Sequence, residues 1–320
     1  MSFSSEVKKE LLALDGQARH CQLAELAAML SGAGKIHKED GRICVTLVTE
    51  CEQIAYRYIS LLMQAGGITA QMIKAHDAVQ KNRGSYLATV VEEEAVKKLF
   101  LMLKIMNQDG CIREQMTLAD GLLLQKSCCK RAFLRGAFLV SGSMSNPKKS
   151  YHFEIVSSEY QKADQIREQL FSFGLEAKIV QRKNHEIVYL KEGSQIVDVL
   201  NIMGAHTALM DLENVRIIKE MRNDINRRVN CETANIHKTV NAAYRQQEAI
   251  RFLEKNGKLK ELSKQLQETA ELRMEYPEAA IQELGTLCSP PVGKSGVNHR
   301  LRKLEKIAEQ MGYEKRNDSL

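Results

Sequence analysis

The sequence predicts an α+β fold: a duplicated αββαββα region with antiparallel sheets, followed by an all-α C-terminal unit. Three observations predict it. The chain matches itself at a constant offset of 108 residues. Each copy alternates strand-like pairs with amphipathic helical stretches. The last sixty residues carry only helical periodicity, broken by Pro and Gly.

The repeat is read residue by residue. CQLAELAAMLSGAGKI (21–36) lies over CKRAFLRGAFLVSGSM (129–144), pairing Cys21 with Cys129, Ala24 with Ala132, Leu26 with Leu134, Leu30 with Phe138 and Gly34 with Gly142. At the same offset LVTE (47–50) meets IVSS (155–158), and Gly66 meets Gly174. Each match alone is unremarkable; one shared offset across all of them is not chance. The expected strands are 42–48, 68–74 and 86–91 in the first copy, and 151–156, 176–182 and 186–191 in the second. The stretches 52–67 and 161–174 have apolar residues at helical spacing and a glycine stop. The expected domains are 1–108, 109–210, a helical linker 211–257 and a helical unit 258–320.

The repeated helices carry the first chemical clue. LAAMLSGAG (26–34) and LRGAFLVSG (134–142) resemble the LAGLIDADG motif of homing endonucleases, register for register. Ala28 and Gly32, like Gly136 and Val140, stand four apart and share a helix face, where small residues let two backbones approach. Gly34 and Gly142 are expected as C-terminal caps. In that family each motif helix delivers one acid to a metal-bound catalytic centre. Here the corresponding positions are Ala33 and Ser141. Alanine offers no ligand atom, and a serine hydroxyl poorly replaces the hard carboxylate oxygens that hold divalent cations and activate water. Glu39 and Asp40 lie beyond the helix end. No catalytic residue, cofactor or metal site is expected.

Composition narrows the class further. No run approaches the ~20 apolar residues of a membrane helix, and the charged start MSFSSEVKKELLAL has no apolar signal core. The expectation is a cytoplasmic protein with no membrane partner. Eight cysteines form no CxxC and precede no histidine pair at finger spacing, so reduced, mostly buried thiols are expected. The adjacent Cys128 and Cys129 leave open a redox role beside a structural one. Residues 216–320 hold 20 Lys and Arg against 15 Asp and Glu, whereas 1–215 are nearly balanced at 26 against 25. That asymmetry points to a polyanionic partner for the C-terminal third.

From 211 to 255 the pattern is helical. Val215, Ile218, Met221, Ile225 and Val229 make a stripe expected to be buried, with a break expected near 230–233. Arg222, Arg227 and Arg228 on the other faces are candidate contacts to a phosphate backbone. In the last unit, 259–277 reads as one helix ending at Pro277, and 278–288 as a short second helix with Ile281, Leu284 and Leu287 on one side. The punctuated SPPVGKSG (289–296) precedes a third helix that Ser295 is expected to N-cap. Val297, Leu301, Leu304, Ile307 and Met311 would face its neighbours. This is a helix-turn-helix pattern, whose second helix enters the major groove of double-stranded DNA. Asn298, His299 and Arg302 are the candidates for base edges; Lys294, Ser295, Arg300 and Lys303 suit phosphates. Lys148, Lys149, Lys178, Arg182 and Lys183 on the second repeat are weaker candidates, equally readable as solvated strand-edge charge.

End to end, the chain resembles the WhiA family of Gram-positive bacteria. The resemblance rests on MSFSSEVKKEL, CCKRAFLRGAFLVSGSMSNPKKSYHFEI, LNIMGAH, RNDINRRVNCETANIHKT and KSGVNHRLRKLEKIAE. It implies a degenerate LAGLIDADG domain lacking nuclease activity, followed by a helix-turn-helix similar to the promoter-reading region of sigma factors. It implies a nucleoid-associated transcriptional regulator acting in cell division, chromosome segregation and, in sporulating relatives, sporulation. Transcription or cell-division proteins are further candidate partners. The alternatives are a protein-interaction scaffold with secondary DNA binding, and an active homing endonuclease.

Overall fold

The computed structural model describes residues 2–39, 41–76, 84–106 and 118–313. The chain divides into two compact units, 1–219 and 220–320.

The first unit begins with a helix that the sequence reading did not assign, α1 (Phe3–Leu12), with the Ser2 hydroxyl accepting from the Ser5 amide and Phe3, Val7 and Leu11 buried. Two copies of the expected order follow. The first is α2 (Arg19–Ala33), β1 (Gly34–Glu39), β2 (Arg42–Thr49), α3 (Glu52–Gly66), β3 (Gln71–His76), β4 (Gly84–Val90) and α4 (Glu93–Met102). The second is α5 (Ser127–Ser141), β5 (Gly142–Met144), β6 (Phe153–Ser157), α6 (Tyr160–Phe171), β7 (Lys178–Arg182), β8 (His185–Leu190) and α7 (Gly193–Met203). Each copy builds one antiparallel four-stranded sheet, in the orders β1-β2-β4-β3 and β5-β6-β8-β7. Both copies share one hydrophobic core, in which the helices cover one side of the sheets.

One detail departs from expectation. Gly34 and Gly142 do end the motif helices, but in extended conformation (φ −80° and −85°), not as left-handed caps. They start β1 and β5 directly. A side chain there would strike the preceding turn, since a Cβ would lie 2.5 Å from the Leu30 carbonyl oxygen at Gly34 and 2.7 Å from the Phe138 Cα at Gly142. Close approach is what selects glycine here. The glycine stop expected for 52–67 is present: Gly67 takes the left-handed turn (φ +59°). The repeat offset slips by one residue there, and Ile68 is buried behind Gly67 as Leu175 is behind Gly174.

The core is organised around α2 and α5, which lie backbone against backbone. A Cβ on Gly136 would sit 2.6 Å from the Glu25 carbonyl oxygen and 3.0 Å from the Ala28 methyl. Glu25 itself is fully buried. Arg57 of α3 reaches it through Nε at 2.9 Å, and Arg135 of α5 through Nε at 3.0 Å. The arginines' other nitrogens donate to the carbonyls of Leu14 (2.8 Å) and Met203 (3.1 Å). Buried charges are tolerated only with such complete pairing.

The second unit contains most of α8 (His206–Lys255), one continuous helix that spans the division between the units. The break expected at 230–233 does not occur. Nor is the stripe buried: Met221, Ile225 and Val229 are 60%, 57% and 53% exposed, and Ile218 is open too. Periodicity reports that a helix has an apolar face, not what covers it. The last turns of α8 do find a core, where Ala249, Ile250 and Leu253 pack with α9 (Lys264–Glu275), α10 (Ile281–Leu287) and α11 (Lys294–Gln310). The helix expected over 259–277 is instead a 3-10 turn (Lys258–Glu261) and then α9.

Two substitutions test the central contact. Gly136→Ala should destabilise the protein by about 1–3 kcal/mol through overpacking. Glu25→Gln, which leaves two buried guanidinium groups without their carboxylate, should cost about 3–5 kcal/mol. Urea unfolding with an unchanged slope measures both, and a midpoint equal to that of the parent would remove the helix pair from its central role.

Candidate nucleic-acid interface

α10, the turn 288–293 and α11 form the helix-turn-helix. Glu283 reaches back to accept from the Ala280 amide at 2.9 Å, which fixes the start of α10. The turn is tied down by the Val292 amide, which donates to the Gly285 carbonyl at 2.8 Å. A Cβ at Gly285 would collide with the Val292 carbonyl oxygen, so glycine is what lets the turn fold back over α10. Arg273 of α9 is buried and donates to the Ala279 carbonyl at 2.8 Å, pinning the segment ahead of α10; burial pulls its pKa down.

α11 is strongly two-sided. Val297, Leu301, Leu304 and Ala308 are buried, and Ile307 packs at their edge. Met311, expected inside, is 40% exposed beyond the helix end, and Leu287 of α10 is likewise open. The opposite face presents Ser295, His299, Arg302, Lys303 and Lys306, all exposed, with Lys294 exposed at the helix start. Asn298 is half-buried at the edge of that face. Ser295 is not the N-cap: Gly293 is, and Ser295 lies in the first turn. Arg300 points the other way. Its guanidinium donates to the Thr269 hydroxyl at 3.4 Å and stands 3.9 Å from the Glu268 carboxylate, both on α9. It is an internal tie between helices and not a free phosphate ligand. Arg222, Arg227 and Arg228 are exposed on α8, with Arg228 3.9 Å from Asp224. Lys148, Lys149, Lys178, Arg182 and Lys183 are exposed on the second repeat, Lys183 at the β7–β8 turn with φ +56°.

The ends of the motif helices are chemically poor. Ala33 and Ser141 are the last residues of α2 and α5, and the Ser141 hydroxyl is spent on the Ala137 carbonyl at 3.1 Å. Among the described residues, neither group of possible metal ligands includes these two positions; one of the groups, His37, Glu39 and Cys44, lies on β1 and β2 beyond the end of α2, and Asp40 lies outside the described residues. The opposite ends of the same helices are different. His20 and Cys21 in the first turn of α2 meet Cys128 and Cys129 in the first turn of α5, their donor atoms all within 4.8 Å of one another. Burial, reinforced by the neighbouring sulfurs, pushes the Cys21 thiol up to about 12, and burial raises Cys129 as well. Cysteine spacing along one segment hid this grouping. The 108-residue offset contains it, since it lays His20 over Cys128 as it lays Cys21 over Cys129. Of the remaining thiols, Cys44 and Cys288 are buried, Cys51 is half-buried and Cys231 is exposed. Cys111 lies outside the described residues.

Fold and site together define a class: a duplicated LAGLIDADG-like scaffold without its motif acids, carried in one chain with a helix-turn-helix unit. Three family models match the chain: the WhiA N-terminal LAGLIDADG-like domain over residues 19–106, the WhiA LAGLIDADG-like domain over 130–222, and the WhiA C-terminal HTH domain over 225–308. The chain belongs to the WhiA family. A probable cell division protein WhiA from Lachnoclostridium phytofermentans is 48% identical over 310 residues, covering 97% of this chain and 99% of its own. The probable cell division protein WhiA of Clostridium perfringens strain SM101 is 46% identical over 312 residues, covering 97% and 98%. The crystal structure of full-length DUF199/WhiA from Thermatoga maritima matches with a TM-score of 0.59 at 25% identity, covering 98% of this chain and 100% of its own. Among the described residues, no helix is long and apolar enough to cross a membrane.

The inward turn of Arg300 gives a checkable outcome. Arg300→Met should lower the stability of the helix-turn-helix unit by about 0.5–1.5 kcal/mol while leaving DNA affinity near that of the parent. Paired melting and anisotropy measurements separate the two effects.

Proposed function

We propose that this chain is a non-enzymatic, sequence-selective DNA-binding protein that regulates transcription in the service of cell division. The observation that carries the reading is the exposed cationic face of α11, presented by a short helix and a glycine-dependent turn. An α-helix fits the major groove of B-DNA, and Arg and Asn pair bidentately with guanine and adenine edges. Asn298, His299 and Arg302 are assigned to bases; Lys294, Ser295 and Lys303 to phosphates, with Arg222, Arg227 and Arg228 of α8 as outlying backbone contacts. Roles in chromosome segregation and, in sporulating relatives, sporulation, together with a cytoplasmic, nucleoid-associated location, extend the same proposal. The name its relatives carry, probable cell division protein WhiA, supports this direction.

The absence of enzymatic activity is argued from Ala33 and Ser141. In-line phosphodiester hydrolysis needs oxygen ligands that bring a divalent cation and a water to the scissile bond. A methyl group supplies no ligand, and one neutral hydroxyl poorly replaces two carboxylates. A second reading, a scaffold that binds other proteins on the nucleoid, is favoured by the exposed apolar side chains Ile225, Val229, Ile236 and Val240 on α8.

The test is a comparison of two substitutions on a site recovered by genome-wide footprinting and on random DNA. Arg302→Ala should cost about 1–3 kcal/mol on the specific site and much less on random DNA. Lys303→Ala should weaken both alike and lower the salt slope, d log K/d log [salt], by about one. Equal losses for Arg302→Ala on the two DNAs would refute base reading. Magnesium-dependent cleavage of plasmid by clean protein would overturn the non-enzymatic assignment.

A further inference from the structure

The two helices that lost their acids at one end bring four other ligands together at the opposite end. We propose that His20, Cys21, Cys128 and Cys129 form a tetrahedral site for a thiophilic divalent cation, zinc by the character of the donors.

The geometry carries this. His20 Nδ1 lies 3.2 Å from the Cys129 sulfur, 3.3 Å from the Cys21 sulfur and 4.0 Å from the Cys128 sulfur. All four donor atoms fall within 4.8 Å of one another. Zinc takes thiolate at about 2.3 Å and imidazole at about 2.0 Å in a tetrahedron, which sets sulfur–sulfur edges near 3.8 Å and nitrogen–sulfur edges near 3.5 Å. The nitrogen–sulfur distances of 3.2, 3.3 and 4.0 Å bracket the expected edge, and the sulfurs lie within 4.8 Å of one another. A disulfide does not account for it, because one S–S bond would leave a third thiol and the imidazole facing it.

Three further features agree. Three soft sulfurs and one imidazole are a ligand set that zinc occupies in structural sites and that magnesium and calcium do not favour. Cys21 and Cys129 are buried, whereas His20 and Cys128 are exposed, so the site has an anchored floor and a path of entry. The ligands sit in the first turns of α2 and α5, where two helix N-termini favour the net negative charge of three thiolates on one zinc.

The site is distinct from the vanished catalytic centre. Twelve residues separate Cys21 from Ala33, and twelve separate Cys129 from Ser141. At 1.5 Å per residue the two places lie about 18 Å apart along the helices. The cation would therefore not support hydrolysis. It would clasp the two repeats at the ends where their central helices start, two ligands from each.

The experiment uses the full chain. Protein purified without chelator should carry about one equivalent of zinc by elemental analysis. Replacing zinc with cobalt should give the intense sulfur-to-metal charge-transfer and visible d–d bands of tetrahedral thiolate coordination. His20→Ala and Cys128→Ser alter exposed positions. Each should reduce zinc affinity by more than the roughly 10–100-fold typical of losing an outer-shell partner, with the fold checked by circular dichroism. Cys231→Ser, an exposed cysteine on α8, should leave stoichiometry unchanged. Folded parent protein that takes up no zinc, a cobalt spectrum without sulfur bands, or full stoichiometry in both variants would each overturn the proposal. The cobalt measurement on the parent decides the matter even if both variants misfold.

Discussion

α2 and α5 touch backbone to backbone, and that contact sets the terms for everything else in the first unit. Gly136 must have no side chain because the Glu25 carbonyl occupies the space a methyl would need. Once the helices are that close, Glu25 is sealed from water, and an unpaired carboxylate there would be intolerable. Arg57 and Arg135 answer from two different helices, and their spare nitrogens tie down the Leu14 and Met203 carbonyls. Small residues, a buried acid and two arginines are thus one arrangement: the closeness creates the electrostatic demand, and meeting it locks α3 and the end of α7 onto the pair.

Along that axis the chain separates what an endonuclease combines. In the motif family the helix pair serves as both interface and catalytic platform. Here the interface persists, while the platform is reduced to Ala33 and a serine bonded to its own helix. Under the proposed function, nucleic-acid recognition has moved to the second unit, where α11 keeps an apolar face for its own core and a cationic face for the outside. The proposed zinc clasp fits the same division, because it would strengthen the interface at the end remote from any former chemistry.

Most of the architecture was legible, because it was written in periods and offsets. The repeat gave both αββαββα units, and the strand pattern placed six of the eight strands. β1 and β5 were missed because each begins on the glycine that ends its motif helix, so a reading that assigns that glycine to a cap sees no room for a strand. α1 was not legible because the charges of its segment mask its packing face, although Phe3, Val7 and Leu11 hold helical spacing. The outward side of α11 was readable from its wheel, but the direction of Arg300 was not, since its partners lie on α9 more than thirty residues away. The same limit hid the His–Cys cluster and the Glu25 triad. Single charges within apolar helix stretches, Glu25 in LAELAAM and Arg135 in FLRGAF, hinted at pairing without saying with what.

The Glu25 triad also bears on the symmetry of the duplication. At the repeat offset Glu25 corresponds to Phe133, Arg135 to Ala27 and Arg57 to Gln165. A symmetric pair of identical repeats makes every contact twice, residue i meeting j and j meeting i. Here the triad is made once, because the positions equivalent to its three members hold a phenylalanine, an alanine and a glutamine. Each half therefore carries a part the other lacks, and exchanging one for the other would strand a buried charge.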